Sequence, residues 1–153
     1  MEDLRYLPDD DAVVNTIAAW HQEAWGHLTG RSQAVRFREF DDQRGSDRIP
    51  LTVVAFGSAE PLGSASLLMD DMDTHPEWNP WLASVYVSPA HRRRGVGERL
   101  CRRIVAEAAR LQVPRLWLFT HDQAPLYARM GWRTVCEEAY RGEAVTVMDI
   151  VPA

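Results

Sequence analysis

The chain has 153 residues, 46% apolar and 25% charged. That suits one domain over residues 1–153 with a buried core, and it excludes collagenous and low-complexity classes. A formal charge of −5 and an acidic start, Met1-Glu2-Asp3, argue against nucleic acid as a partner and against a secretory leader. No apolar run approaches the ~18 residues of a membrane span, so no membrane partner and a cytoplasmic location are expected. The two cysteines, Cys101 and Cys136, are too few for a disulfide framework and lack metal-ligand spacing; both read as buried thiols.

Residues 4–7 read as a short strand, and Pro8-Asp9-Asp10-Asp11 as a turn that starts a helix, with acids at its positive end. Val13, Ile17, Trp20, Ala24 and Leu28 recur at helical spacing, and Gly30 ends that helix. Residues 32–43 form a second helix anchored by Val35, Phe37 and Phe40. Strands follow at 51–56 and 62–69 as a hairpin, then a loop over 70–80 rich in Asp, Pro and Trp, then a strand at 81–87. A helix over 97–111 turns Leu100, Ile104, Val105, Ala108 and Leu111 to the core. The nearly all-apolar run 115–119 is a central strand, and a short helix over 123–130 stops at Gly131. Strands 132–140 and 144–151 close the chain as a second hairpin; the last is read as an edge that could pair between subunits, making a homodimer an open expectation. A strand–helix–strand crossover around 81–119 requires a parallel pair there, whereas the hairpins require antiparallel pairs.

The run Val85-Tyr86-Val87-Ser88-Pro89-Ala90-His91-Arg92-Arg93-Arg94-Gly95-Val96-Gly97-Glu98-Arg99-Leu100 carries the most chemistry. A basic glycine loop between a strand and a helix aims backbone N–H groups and the positive helix end at one point. Gly95 and Gly97 let the backbone approach a ligand without a Cβ in the way. Arg92, Arg93 and Arg94 add charge and forked donors for phosphate oxygens. Leu100 stands where a dinucleotide fingerprint needs its third glycine, and no P-loop run occurs. Arg99, Arg102 and Arg103 read as a solvated helix face.

Arg92, Gly95 and Gly97, preceded by Val85-Tyr86-Val87-Ser88-Pro89, resemble the acetyl-coenzyme A signature of the GNAT acetyltransferases: Arg or Gln, two residues, Gly, one residue, Gly or Ala. The element order is similar to that family's over nearly the whole chain. The resemblance implies a single-domain α/β (α+β) fold: a mixed, mostly antiparallel sheet flanked by helices on both faces, with a central splayed parallel pair. It implies acetyl-coenzyme A as co-substrate and transfer of an acetyl group to a primary amine by direct attack in a ternary complex. A non-catalytic coenzyme A-binding module on the same fold is the alternative. Residues 92–98, namely Arg92, Arg93, Arg94, Gly95, Val96, Gly97 and Glu98, would hold the pyrophosphate. The backbone of Val85 and Val87 would pair with the pantetheine arm, and the Val87 amide would stabilise the thioester carbonyl. Thr120-His121-Asp122-Gln123-Ala124-Pro125-Leu126-Tyr127, with Gly131-Trp132 behind it, resembles the family's late segment. There Tyr127 would be the general acid and cofactor contact, and Asp122 a coenzyme contact.

One departure concerns the base. Many members carry a Glu on the strand before the glycine loop, and residues 82–87 hold no carboxylate. Candidates nearby are Asp70, Asp71, Asp73, His75, Glu77 and Asp122, with His121 preferred because imidazole titrates in the working range. For the acceptor, Asp71, Glu77, Trp78 and Trp81 combine acids with aromatics suited to a cationic amine. In the fold that the resemblance implies, the first two helices often border the acceptor groove, which would add Trp20, His21, Glu23 and Trp25 of the first helix. The spacing of Asp71, His75, Glu77 and His91 matches no usual metal pattern, and acyl transfer from a thioester needs none, so no metal is expected.

Overall fold

The computed structural model describes residues 3–29 and 32–153, with backbone alone over 27–29. The helix stop expected at Gly30 and the Leu28 anchor lie outside the described residues. Among the described residues, seven strands form one sheet: β1 (Asp3–Tyr6), β2 (Leu51–Gly57), β3 (Glu60–Leu68), β4 (Trp81–Val87), β5 (Leu116–Thr120), β6 (Arg133–Tyr140) and β7 (Glu143–Ile150). Four α-helices accompany them among the described residues: α1 (Asp11–Thr29), α2 (Gln33–Glu39), α3 (Val96–Arg110) and α4 (Ala124–Arg129). The spatial order is β1-β2-β3-β4-β5-β7-β6, and only β4 and β5 run parallel among the pairs. The fold is the mixed, mostly antiparallel one expected.

Local chemistry explains the boundaries. The Asp10 carboxylate accepts from the Ala12 N–H at 3.0 Å and opens α1. Ser32 caps α2 through the Val35 N–H, and the expected second helix continues only as a 3-10 turn, Phe40–Gln43. Gly131 takes a left-handed φ of 99° where α4 stops.

Period-two alternation along β2 divides the core between the two faces. Leu51, Val53 and Ala55 pack with Leu100, Ile104 and Ala108 of α3. Val54 and Phe56 pack with Val14, Ile17 and Ala18 of α1. Beyond β4, on the α1 side of the sheet, Met72 of the β3–β4 loop packs with Trp81, Trp117, Val145 and Val147.

The helical arginines serve structure. Arg103 and Arg110 ion-pair with buried Glu107, which also accepts from the Tyr6 hydroxyl. Arg102 pairs with Glu98.

The last strand is not an edge. β7 lies between β5 and β6, with Val145, Val147, Met148 and Asp149 all buried, so it needs cover on both faces. The edge is β6, whose side chains are mostly exposed. Pairing between subunits through 144–151 is therefore closed off. Cys101 is buried as expected, whereas Cys136 on β6 is half-buried.

Candidate active site

The sheet opens at its parallel pair. β4 and β5 meet at Trp81↔Trp117 alone among the described residues, then diverge. A bulge sharpens the departure: Ser64↔Tyr86 and Ser66↔Ala83 are partners, so β4 spends one more residue than β3 there, and Ser84 sits at φ 56°. Gly63 permits the close strand contact beside it, because a Cβ there would stand 2.6 Å from the Tyr86 carbonyl oxygen.

Past β4, the chain turns through Arg93 at φ 65° and Gly95 at φ 80°. This left-handed geometry gathers successive N–H groups into an anion-binding concavity. The first bond into α3 runs from Arg99 N–H to Gly95 O, so the N–H groups of Val96, Gly97 and Glu98 are first-turn donors without an intrahelical acceptor. Arg92 Nε donates to the Val87 carbonyl at 2.8 Å, and its guanidinium lies over the Tyr86 ring. It thereby ties the loop to β4. Arg93 and Arg94 are exposed at the loop surface.

Between the splayed strands lies a cavity of about 490 Å³, in the range of small-molecule sites. Of the residues expected at the site, Asp71, Val85, Gly97, His121, Asp122 and Tyr127 line it. Val87 does not; it stands at the loop end, its carbonyl held by Arg92. The β4 residues on the wall are Leu82, Ala83, Ser84 and Val85.

The Tyr127 hydroxyl receives the Cys101 Sγ hydrogen at 3.9 Å. Burial pushes the Tyr127 phenol well above its ordinary 10.0, and the adjacent Cys101 adds to the rise. Burial likewise lifts the Cys101 thiol to about 12, so Cys101 is a poor nucleophile. His121 Nε2 lies 2.8 Å from Glu143 Oε2. When Nε2 donates to that carboxylate, the neutral ring keeps Nδ1 as its lone pair. Glu143 was not expected at the site, since it opens β7 from the hairpin turn and faces His121 only once β7 lies beside β5.

Three expected acceptor contacts are corrected. Trp81 is fully buried and its indole N–H donates to the Trp78 carbonyl at 2.6 Å. Trp78 is covered on one side by His75, with centroids 4.0 Å apart, and stacks on Trp117 at 4.5 Å; neither ring is offered to a cation. Glu77 stands off the cavity wall and binds His75 Nδ1 at 3.0 Å, while His75 Nε2 meets Glu138 at 2.8 Å. Together they clamp the β3–β4 loop to β6. The hydrogen bond to Glu77, then Glu138, raises the His75 pKa above 6.5. A raised folded-state pKa stabilises below the unfolded value, and the gain is lost as pH rises through the folded value. The melting-temperature deficit of His75→Gln should therefore be larger at about pH 5.5 than at about pH 8.5; equal deficits would remove the ionic clamp.

A sheet that opens beside an anion cradle is the architecture of acyl-coenzyme A acetyltransferases. The chain belongs to the GNAT acetyltransferase family, whose model matches residues 14–132. Solved structures share the fold at low identity. YncA of Salmonella typhimurium, solved with its cofactor acetyl-CoA, is 18% identical with TM-score 0.78, covering 100% of this chain and 95% of that one. An N-acetyltransferase of Staphylococcus aureus is 13% identical with TM-score 0.78, covering 100% and 99%. The aminoglycoside 6'-N-acetyltransferase of Enterococcus faecium is 13% identical with TM-score 0.76, covering 99% and 97%. No curated protein matches the sequence.

Proposed function

We propose that residues 1–153 form one acetyl-coenzyme A-dependent N-acetyltransferase domain acting on a primary amine by direct attack. The observation that carries this reading is a single cavity joining the coenzyme elements, Val85 and Gly97, to Tyr127 and to the His121–Glu143 pair. The N-acetyltransferases among the similar structures support an amine acceptor.

The residues fit the coenzyme. A Cβ at Gly97 would meet only Val87 Cγ2, at 3.5 Å, so glycine there leaves room for something other than the protein. The Val96, Gly97 and Glu98 amides, with Arg93 and Arg94, hold the pyrophosphate. The β4 backbone beside Val85, unpaired toward β5, bonds the pantetheine arm as an added strand would. When bound, acetyl-coenzyme A supplies an acyl carbon activated as a thioester. His121 Nδ1 takes the amine proton, and Glu143 holds the ring in that tautomer. Tyr127 donates to the departing thiolate. Asp122 contacts the coenzyme, and Asp71 faces the amine.

Thiol release from acetyl-coenzyme A over a panel of amines tests the reading. Turnover is expected on one class, and His121→Gln should lower kcat by about 10²-fold. Tight coenzyme binding without turnover on any amine would favour the non-catalytic module instead.

A further inference from the structure

We infer that Cys101, with the Tyr127 ring beside it, is the wall that sets the length of the transferred acyl group and holds this chain to short acyl donors. This rests on the acyl-transfer reading above and adds the class of donor to it.

Two cavities meet at this wall. The first is the active-site cavity of about 490 Å³. A second, of about 350 Å³, lies between α3, α4 and the end of β7, and Val105, Ala106, Met130, Trp132 and Ile150 line it. Cys101 borders both cavities. Helical spacing explains why. Gly97, Cys101 and Val105 stand four apart along one stripe of α3. Gly97 borders the first cavity, Val105 the second, and Cys101 is the step between them. The chain at α4 makes the same step, because Tyr127 borders the first cavity and Met130 the second. Tyr127 also meets Trp132 of the second cavity edge-on, with centroids 6.1 Å apart.

The wall is closed by small groups. Cys101 is only 2% exposed and packs as a small apolar side chain. Its Sγ lies 3.9 Å from the Tyr127 hydroxyl, which is van der Waals contact and leaves no passage between the two. Tyr127 serves the coenzyme sulfur on the reading above, and the acyl carbon is bonded to that sulfur. A chain that grows from this carbon toward the acceptor side meets His121, Asp122 and Glu143, which offer an alkyl group nothing. The apolar lining of the second cavity lies the other way, past Cys101. An acetyl group ends at the wall, and a longer chain runs into it. Removing the Cys101 side chain joins the two cavities and gives that chain a place to go.

Calorimetric titration with acetyl-, butyryl- and hexanoyl-coenzyme A tests this without an acceptor. The wild type is expected to bind the hexanoyl form at least about 10-fold more weakly than the acetyl form. Each methylene buried in the second cavity is worth roughly 4-fold in affinity, so Cys101→Gly should raise the hexanoyl-to-acetyl affinity ratio by at least about 10-fold. Glycine weakens a helix, so Cys101→Ala is measured beside it. The smaller opening should raise the butyryl-to-acetyl ratio by about 3-fold, and melting temperatures report the fold of each variant. Ala106→Phe fills the second cavity from its exposed side. Added to Cys101→Gly it should cancel the gain, and alone it should leave acetyl-coenzyme A affinity unchanged. Thiol release with the amine turned over best in the panel above should follow the same order of donors. Hexanoyl- and acetyl-coenzyme A bound equally by the wild type would overturn the inference and leave the transferase reading standing. So would folded Cys101 variants without the gain, or a gain that survives Ala106→Phe. Failure of acetyl-coenzyme A itself to bind would overturn both.

Discussion

Replacing Gly97 by valine should leave the fold intact and remove coenzyme affinity. A glycine can be required by its own chain, as at Gly95 with φ 80° or at Gly63, where a Cβ would sit 2.6 Å from a carbonyl oxygen. Neither reason applies at Gly97. It is helical, and its added Cβ would meet one methyl at ordinary contact distance, Val87 Cγ2 at 3.5 Å. Alanine there should even stabilise α3, by up to about 1 kcal/mol, because glycine is the poorer helix former. What the side chain would fill is the approach to the first-turn N–H groups and to the cavity that Gly97 lines. Gly97→Ala should weaken acetyl-coenzyme A by about 10-fold, and Gly97→Val by about 100-fold or more, equivalent to ~1.4 and ~2.8 kcal/mol. Calorimetric titration gives the affinities, while circular dichroism and melting temperature report the fold. An unchanged dissociation constant in Gly97→Val would remove the cradle.

The parts of the fold legible in the sequence are those written in local chemistry. Alternation along 51–56, the helical spacing of Leu100, Ile104 and Ala108, and the stop at Gly131 each need only neighbours along the chain to be read. The signature at Arg92, Gly95 and Gly97 is local in the same sense, and the structure places it at the N-terminus of α3 beside the opened strand. Strand order is a property of the assembled sheet. The run 144–151 has the apolar content of a strand, but only the insertion of β7 between β5 and β6 makes it central. That insertion also brings Glu143 to His121 and Arg141 to the cavity wall. In the sequence these residues are polar groups of a hairpin turn, and neither lies in a motif that marks a site. Trp78 and Trp81 erred the other way. Acids and aromatics in one loop resemble a cation trap, but the aromatics were drawn into the third core cluster with Trp117, where apolar burial outweighs exposure to a ligand. Nothing in the sequence singles out Arg36, because burial of a charge at a cavity wall has no periodic signature.

The second large effect expected is on turnover. Tyr127→Phe should cut kcat by about 10- to 100-fold while leaving coenzyme affinity within about 3-fold, the loss of one hydrogen bond to a developing charge of about 1.5–3 kcal/mol. The direction of the Tyr127 pKa decides what kind of help it gives. Burial, and then Cys101, hold its phenol above 10.0, whereas an alkyl thiol titrates near 8.5. Complete proton transfer from Tyr127 to a thiolate is therefore uphill. A donated hydrogen bond that strengthens as negative charge grows on sulfur is not, and the same burial that makes the phenol a weak acid makes that bond count for more. The raised pKa also keeps the proton in place throughout the working pH range, so the defect of Tyr127→Phe should be nearly independent of pH below about 9. Shape is conserved by the substitution: the ring keeps its edge contact with Trp132 at 6.1 Å, and only the hydroxyl beside Cys101 is lost. A companion Cys101→Ala variant removes the other end of that 3.9 Å contact and should leave kcat within about 3-fold, because the sulfur donates to the phenol oxygen and not through it. Full turnover in Tyr127→Phe would return Tyr127 to a packing role, and a defect equally large in Cys101→Ala would shift the effect from the hydroxyl to the shape of the wall.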